Sequence, residues 1–223
     1  MCDMPELIEV ELEYLLLDED NPRIGSADSQ ASALEYIINL NDAYFRNLMI
    51  SIKNNGLDPG DSLYVIEGDD SDEYVVLEGN RRISALKVLD NTNILNGTKI
   101  SDRIKKSLLR ASSNFDINKI NPIRCVKFDT REEAEEWIFR RHTGTMDGEG
   151  RIQWGPLEIQ RFSGDHSLLD IIDFVGRNAD YTSEEWESTK STISSRKSSN
   201  LSRVLARKIH CGLADVAQAV EIA

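Results

Sequence analysis

The amino-acid sequence predicts an α+β fold: a small mixed sheet with helices over residues 1–128, followed by an all-helical region over residues 129–223. Two apolar runs of strand length, Leu63–Ile66 and Tyr74–Leu77, flank the turn-rich Gly68-Asp69-Asp70-Ser71-Asp72, which is the pattern of an antiparallel hairpin. Before and after that hairpin, apolar residues recur three and four apart, as on one face of a helix. From Trp154 onward the pattern is helical, interrupted by a serine-rich stretch.

Glu9 to Leu17 reads as an opening strand. Asp18-Glu19-Asp20-Asn21-Pro22-Arg23 breaks it, because Pro22 fixes its own φ and pushes Asn21 toward extended geometry, which leaves Arg23 in a loop. One helix follows from about Ser29 with Leu34, Ile37 and Ile38 inward. A second starts after Asn41 with Phe45, Leu48, Met49 and Ile52 inward and stops at Gly56. The hairpin leaves through Gly79-Asn80 into a helix that turns Ile83, Leu86 and Leu89 inward, with Asn80 as a good N-cap.

Ile123–Phe128 reads as a further strand after Pro122. Thr130 with Glu133 forms a capping box that opens a helix with Ala134, Trp137 and Ile138 inward; it ends in Arg140-Arg141-His142, with Gly144 beyond. In the second region Pro156 suits a first helical turn, Ser167–Val175 reads as an apolar helix closed by Gly176, and Thr182 with Glu185 offers a second capping box. Ser188–Asn200 reads as a serine-rich linker or solvated surface. Helical spacing resumes at Leu201, Val204, Leu205, Lys208 and Ile209, as far as Gly212.

Forty per cent of the 223 residues (40%) are hydrophobic, enough to bury a core. No stretch approaches the roughly 18 apolar residues of a membrane span. The start, Met1 to Glu6, lacks the basic and apolar segments of a signal peptide, so a cytoplasmic chain without a membrane partner is expected. Cys2, Cys125 and Cys211 are odd in number and lack CxxC spacing, which points away from a disulfide framework or zinc site. His142, His166 and His210 are isolated, without HxxxH or HxH spacing, so no metal-ligand set can be named. Trp137, Trp154 and Trp186 sit at helical positions and read as core. A formal net charge of -13 argues against indiscriminate binding to a nucleic-acid backbone, because a basic surface supplies that affinity.

Against that charge, the adjacent Arg81 and Arg82 stand out. A strand leading through Gly79-Asn80 into a helix points the free N–H groups of the first turn outward, where the dipole favours an anion. Cations at that end oppose the dipole by a few tenths of a kcal/mol, a mildly unfavourable placement without an anionic partner. Spacing alone leaves two readings open: a phosphate cradle, or ion pairs with local acids such as Glu78 or Asp72.

The segment EGNRRISALKVL resembles the glycine-x-arginine-arginine box of the ParB/sulfiredoxin superfamily. Three further segments match in order. DEDNPR (Asp18 to Arg23) looks like that family's asparagine-proline-arginine loop. NNGLDPGDSLYVI (Asn54 to Ile66) is similar to its glycine-led segment before the hairpin, and WGPLEIQRF (Trp154 to Phe162) to the helix that starts its second, helical part. The resemblance covers Glu9 to about Phe162. It implies a ParB/sulfiredoxin-like domain in which Gly79, Asn80, Arg81, Arg82 and Ser84 hold phosphates, Arg23 reaches in from the first loop, and Arg141, His142 and Thr143 close over a triphosphate. The local alternative for Arg140 to Thr143 is an ordinary basic helix C-terminus.

Family members include CTP-hydrolysing DNA clamps, ATP-using sulfiredoxins, free-serine kinases and proteins labelled nucleases, so the fold indicates the pocket and not the reaction. The box lacks the cysteine of sulfiredoxin, which excludes that thiol chemistry. Asn80 stands where ParB usually has glutamate, and Phe139-Arg140-Arg141-His142 stands near its glutamate-asparagine motif for magnesium. Hydrolysis asks for a group that positions or deprotonates water and usually for a metal. Glu78 is the catalytic candidate, with an ion-pair partner of the arginines as its plainer reading.

The resemblance therefore implies a nucleotide ligand, CTP or ATP, with Mg2+ as the companion that hydrolysis would use. It also implies a nucleoside triphosphatase or nucleotide-gated switch of a prokaryotic or phage system that handles DNA. The alternatives are a metal-dependent nuclease and a non-catalytic nucleotide- or DNA-binding module. DNA and a second copy of the chain, as a homodimer, are candidate partners. Lys190, Arg196, Lys197, Arg203, Arg207 and Lys208 form an acid-free basic island that could touch DNA backbone, with solvated surface as the alternative.

Overall fold

The hairpin that the sequence announces is the middle of the sheet. In the computed structural model, which describes residues 4–70, 72–143, 154–164, 177 and 182–194, β3 (Leu63–Glu67) and β4 (Tyr74–Glu78) pair antiparallel. With β1 (Glu6–Val10), β2 (Leu15–Leu17) and β5 (Ile123–Lys127) they form one mixed sheet of order β1-β5-β3-β4-β2. β5 lies antiparallel to β1 and parallel to β3, and β2 lies parallel to β4.

The opening segment is thus two strands and not the single strand expected over Glu9–Leu17. A 3-10 turn at Leu12–Tyr14 intervenes, so β1 and β2 sit on opposite edges of the sheet. Asn121 fastens that turn: its Oδ1 accepts from the Leu12 N–H at 2.9 Å and its amide donates to Glu11. Alternation alone cannot reveal a tie to a residue 109 positions away.

One face of the sheet carries α1 (Gln30–Leu40), α2 (Asp42–Asn55), α3 (Asn80–Asp90) and α4 (Asp102–Ser112). Ser29 and Asn41 cap α1 and α2, accepting from the Ser32 and Tyr44 N–H groups, and Gly56 ends α2 at φ +78°. Ile37, Ile38, Phe45, Met49, Ile83, Leu86 and Leu108 fill the core between helices and sheet. The sequence reading did not anticipate α4, which Ser101 caps.

The other face is covered by α5 (Arg131–His142), capped by Thr130 as expected. Ala134 is buried against Leu77 and Phe128, and Ile138 packs beside it. Trp137, however, is 47% exposed with the Arg140 guanidinium 5.0 Å from its ring centre, because its place on the helix wheel lies beside the Ala134–Ile138 stripe. The first compact unit runs from Met1 to Thr143, past the boundary expected at 128, since α5 shares a core with the sheet.

The second unit, residues 144–223, is described only in part. It contains α6 (Pro156–Ser163), which opens at Pro156, and α7 (Ser183–Ser194), where Thr182 and Glu185 make the reciprocal bonds of a capping box. Trp154 is 57% exposed and lies 5.2 Å from the Phe162 ring, and Trp186 is half-buried, so the tryptophans are not the core residues their spacing suggested. The expected helix at Ser167–Val175, the serine-rich stretch beyond 194 and the helical spacing from Leu201 lie outside the described residues. Among the described residues no helix is long and apolar enough to cross a membrane.

Candidate functional site

Gly79 makes the turn between β4 and α3 at φ +104°, in the left-handed region, and it is the N-cap residue. A Cβ there would lie 2.2 Å from Leu63 Cδ2, so both the angle and the space demand glycine. The Arg82 and Ile83 N–H groups donate to the Gly79 carbonyl at 2.8 and 3.1 Å. Helix geometry then leaves the N–H groups of Gly79, Asn80 and Arg81 without intrahelical acceptors, at the positive end of the α3 dipole.

Asn80 corrects the sequence reading. It is the first helical residue and not the N-cap, and its side chain is a structural tie. Its Oδ1 accepts from the Asp18 N–H at 2.9 Å, while its amide donates to the Val76 and Leu77 carbonyls at 2.5 and 3.3 Å. Only its backbone remains for a ligand. Ser84, expected among the phosphate contacts, is fully buried, does not line the cleft above the turn, and has no hydrogen-bond partner for its Oγ. One helical turn carries it inward from the mouth, which withdraws it as a phosphate contact.

The two adjacent arginines have opposite fates. Arg82 is 14% exposed and binds Asp61 at 3.1 Å, Glu78 at 3.6 Å and the Asp61 carbonyl. The local acids are therefore Glu78 and Asp61, the latter unexpected, and not Asp72. Arg81 is exposed at the cleft and, among the described residues, meets no carboxylate; the same holds for Arg23 on the first loop.

A second unexpected residue holds that loop. Arg131 at the start of α5 grips the buried Asp18 with two parallel bonds, 2.9 and 2.7 Å, and the Asp18 N–H is tied in turn to Asn80. The hydrogen bond to Asp18, then its charge, pushes the Arg131 guanidinium further up in pKa against the opposing effect of burial. The loop bearing Arg23 is thus fastened to α3 and α5 at once. Asp61 lies in the glycine-led segment Asn54 to Ile66 and Arg131 in the Thr130–Glu133 capping box, but neither pattern marks the residue as an ion-pair partner, and only the tertiary pairing reveals them.

The C-terminal end of α5 closes the same neighbourhood. Arg141 lies 2.8 Å from Asp61 and 4.0 Å from Glu78, donates to the Tyr64 hydroxyl at 3.1 Å, and stacks 4.6 Å above the Tyr64 ring. His142 Nε2 is 2.9 Å from Glu78 Oε2. The Thr143 hydroxyl donates to the Phe139 carbonyl at 2.7 Å and caps the helix. Glu78 therefore faces Arg82, Arg141 and His142, the geometry of an ion-pair hub more than of a group waiting for water.

Above the Gly79 turn opens a cleft of about 1100 Å³. Arg23, Arg81, Arg82 and Arg131 line it together with Asp18, Asp58, Asp61, Glu78, Glu135 and Glu136, and Ile37, Leu40, Leu48, Ile52 and Leu57 of α1, α2 and the loop beyond supply apolar lining. The arrangement can hold a ligand with an anionic group at one end and an apolar or aromatic body at the other. A resident Mg2+ asks for one or two carboxylates free to join an octahedron of oxygens, and of the acids lining the cleft Asp58 is in no ion pair among the described residues. Asp18, Asp61 and Glu78 are each bound to guanidinium groups of the chain, and among the described residues no three His, Cys, Asp or Glu side chains group to hold a metal ion. Arg196, Lys197, Arg203 and Arg207, the expected DNA contacts, lie outside the described residues, as do 144–150 of the glycine-rich loop after α5.

No family model and no curated protein matches the chain. Among solved structures it is similar to the C-terminally truncated chromosome-partitioning protein ParB from Caulobacter crescentus complexed with CTP-gamma-S, at 14% identity and a TM-score of 0.36, over 96% of this chain and 77% of that one.

Proposed function

We propose that this chain is a ParB-like nucleotide-binding protein that takes a nucleotide, CTP or ATP, into the cleft above Gly79. The phosphates sit on the N–H groups of the first α3 turn between Arg81 and Arg23, and the base and sugar lie toward the apolar lining. One observation carries this reading. Arg82, Arg131 and Arg141 are each paired with carboxylates, while Arg23 and Arg81 at the same cleft have none among the described residues, in a chain of net charge -13.

The finer reading is a nucleotide-gated switch of a DNA-handling prokaryotic or phage system, acting as a homodimer. A phosphate arriving beside Arg82 competes with Glu78 and Asp61 for its guanidinium group, and so disturbs the acids that also hold Arg141 and His142 of α5. The position of α5 would then depend on occupancy, through differential contacts in the two states. Engagement of Glu78 by Arg82, Arg141 and His142 favours this over a metal-dependent nuclease with Glu78 as its catalytic residue. Release of phosphate from a bound triphosphate would make the switch a triphosphatase.

Calorimetric titration with CTP, ATP, GTP and ADP, with and without Mg2+, tests the reading. At least one triphosphate should bind at sub-millimolar concentration, and Arg23→Ala with Arg81→Ala should weaken it about 10- to 100-fold, the loss of one or two charge-assisted hydrogen bonds. Absence of binding, or unchanged affinity in that variant, overturns it.

A further inference from the structure

We propose a second anion site, separate from the cleft, in the groove between α2 and α4: a recess of about 260 Å³ that takes a phosphate dianion, free or as a monoester. Arg103, Ser107 and Arg110 lie at i, i+4 and i+7 of α4 and so form one stripe along its flank. Asp42, Arg46 and Asn47 of α2 face them across the groove, and no residue is shared with the cleft above Gly79.

Three arginines and one carboxylate line the recess, which leaves two positive charges in excess in a chain of net charge -13. Asp42 engages Arg103 at 3.4 Å, whereas Arg46 and Arg110 are ion-paired with nothing among the described residues. Arg46, Arg103 and Arg110 are exposed at the groove, where solvent screens their mutual repulsion and leaves them open to an anion. A phosphate dianion matches the excess, accepts bidentate bonds from guanidinium forks, and offers further oxygens to the Ser107 hydroxyl and the Asn47 amide. A carboxylate brings one charge and two oxygens, and a phosphodiester one charge per phosphate, so both fit the recess less well.

The site is tested in the full chain carrying Arg23→Gln and Arg81→Gln, so that the cleft does not compete, by following the backbone amide resonances of Asn47 and Ser107. Titration with inorganic phosphate should move both signals saturably. Arg46→Gln with Arg110→Gln should weaken that binding about 10- to 100-fold, and Asp42→Asn should tighten it. Phenyl phosphate binding as well as inorganic phosphate would assign the monoester as the source; binding of inorganic phosphate alone would assign the free ion. The proposal falls if neither signal moves by about 20 mM phosphate, far above the level a built site needs, or if the double arginine variant binds unchanged. It falls equally if an oligonucleotide lacking a terminal phosphate binds more tightly than phenyl phosphate at equal phosphate concentration.

Discussion

Gly79 is where a single backbone angle positions the cleft. Its positive φ and the 2.2 Å approach of Leu63 to a would-be Cβ mean that Gly79→Ala must shift the β4–α3 turn, at an expected cost of about 2–4 kcal/mol measured by urea unfolding. Asp18 allows a test in which two explanations have opposite signs. Asp18→Asn frees Arg131 and makes the cleft more positive, so simple electrostatics predicts tighter nucleotide binding. If the Asp18–Arg131–Asn80 tie matters because it holds the Arg23 loop, affinity instead falls, and that is the outcome expected by calorimetry. Cys125 is buried, which pushes its thiol from 9.0 up to about 12. The native state therefore keeps a proton that the unfolded chain gives up. The corresponding stability is fully present below about pH 9 and is lost as pH rises toward 12, and a thiol reagent at pH 8 should leave Cys125 unmodified in a Cys2→Ser, Cys211→Ser background.

At the scale of elements, α5 does two jobs with two faces. Ala134 and Ile138 seal the second core against Leu77 and Phe128, and Arg131, Arg141 and His142 reach from the same helix to Asp18, Asp61 and Glu78. Loss of its cap therefore tests both. Thr130→Ala should cost about 1 kcal/mol of unfolding free energy, and hydrogen exchange should report increased opening of the first turn of α5, where Arg131 lies. The hairpin, by contrast, was legible from sequence almost to the residue, because two short apolar runs around a turn-rich segment admit few other folds. The opening strand was not, because its two halves pair with partners, β5 and β4, that lie far along the chain.

For the whole molecule, the two units make a prediction about separability. All the residues lining the cleft and the α2–α4 groove fall within residues 1–143, which contain the sheet and both of its cores. A fragment ending at Thr143 should unfold cooperatively by circular dichroism and keep the nucleotide affinity of the full chain to within about threefold; truncation at Phe128 removes Ala134 and Arg131 and should abolish both.

Periodicity, turn residues and caps are local properties, and so the hairpin, the helices α1, α2, α3 and α5, the Gly79 turn and the adjacent arginines after it could be read from the amino-acid order alone, whereas α4 and the division of the opening segment into β1 and β2 could not. Which arginine stays open to a ligand could not. Arg81 and Arg82 are neighbours with the same chemistry, and they part company only because one side chain meets Asp61 and Glu78 while the other faces the cleft. Asp61 lies 21 positions from Arg82, and Asp18 lies 113 from Arg131. Ion pairing depends on distance in space, which the packing of α3 and α5 on the sheet sets.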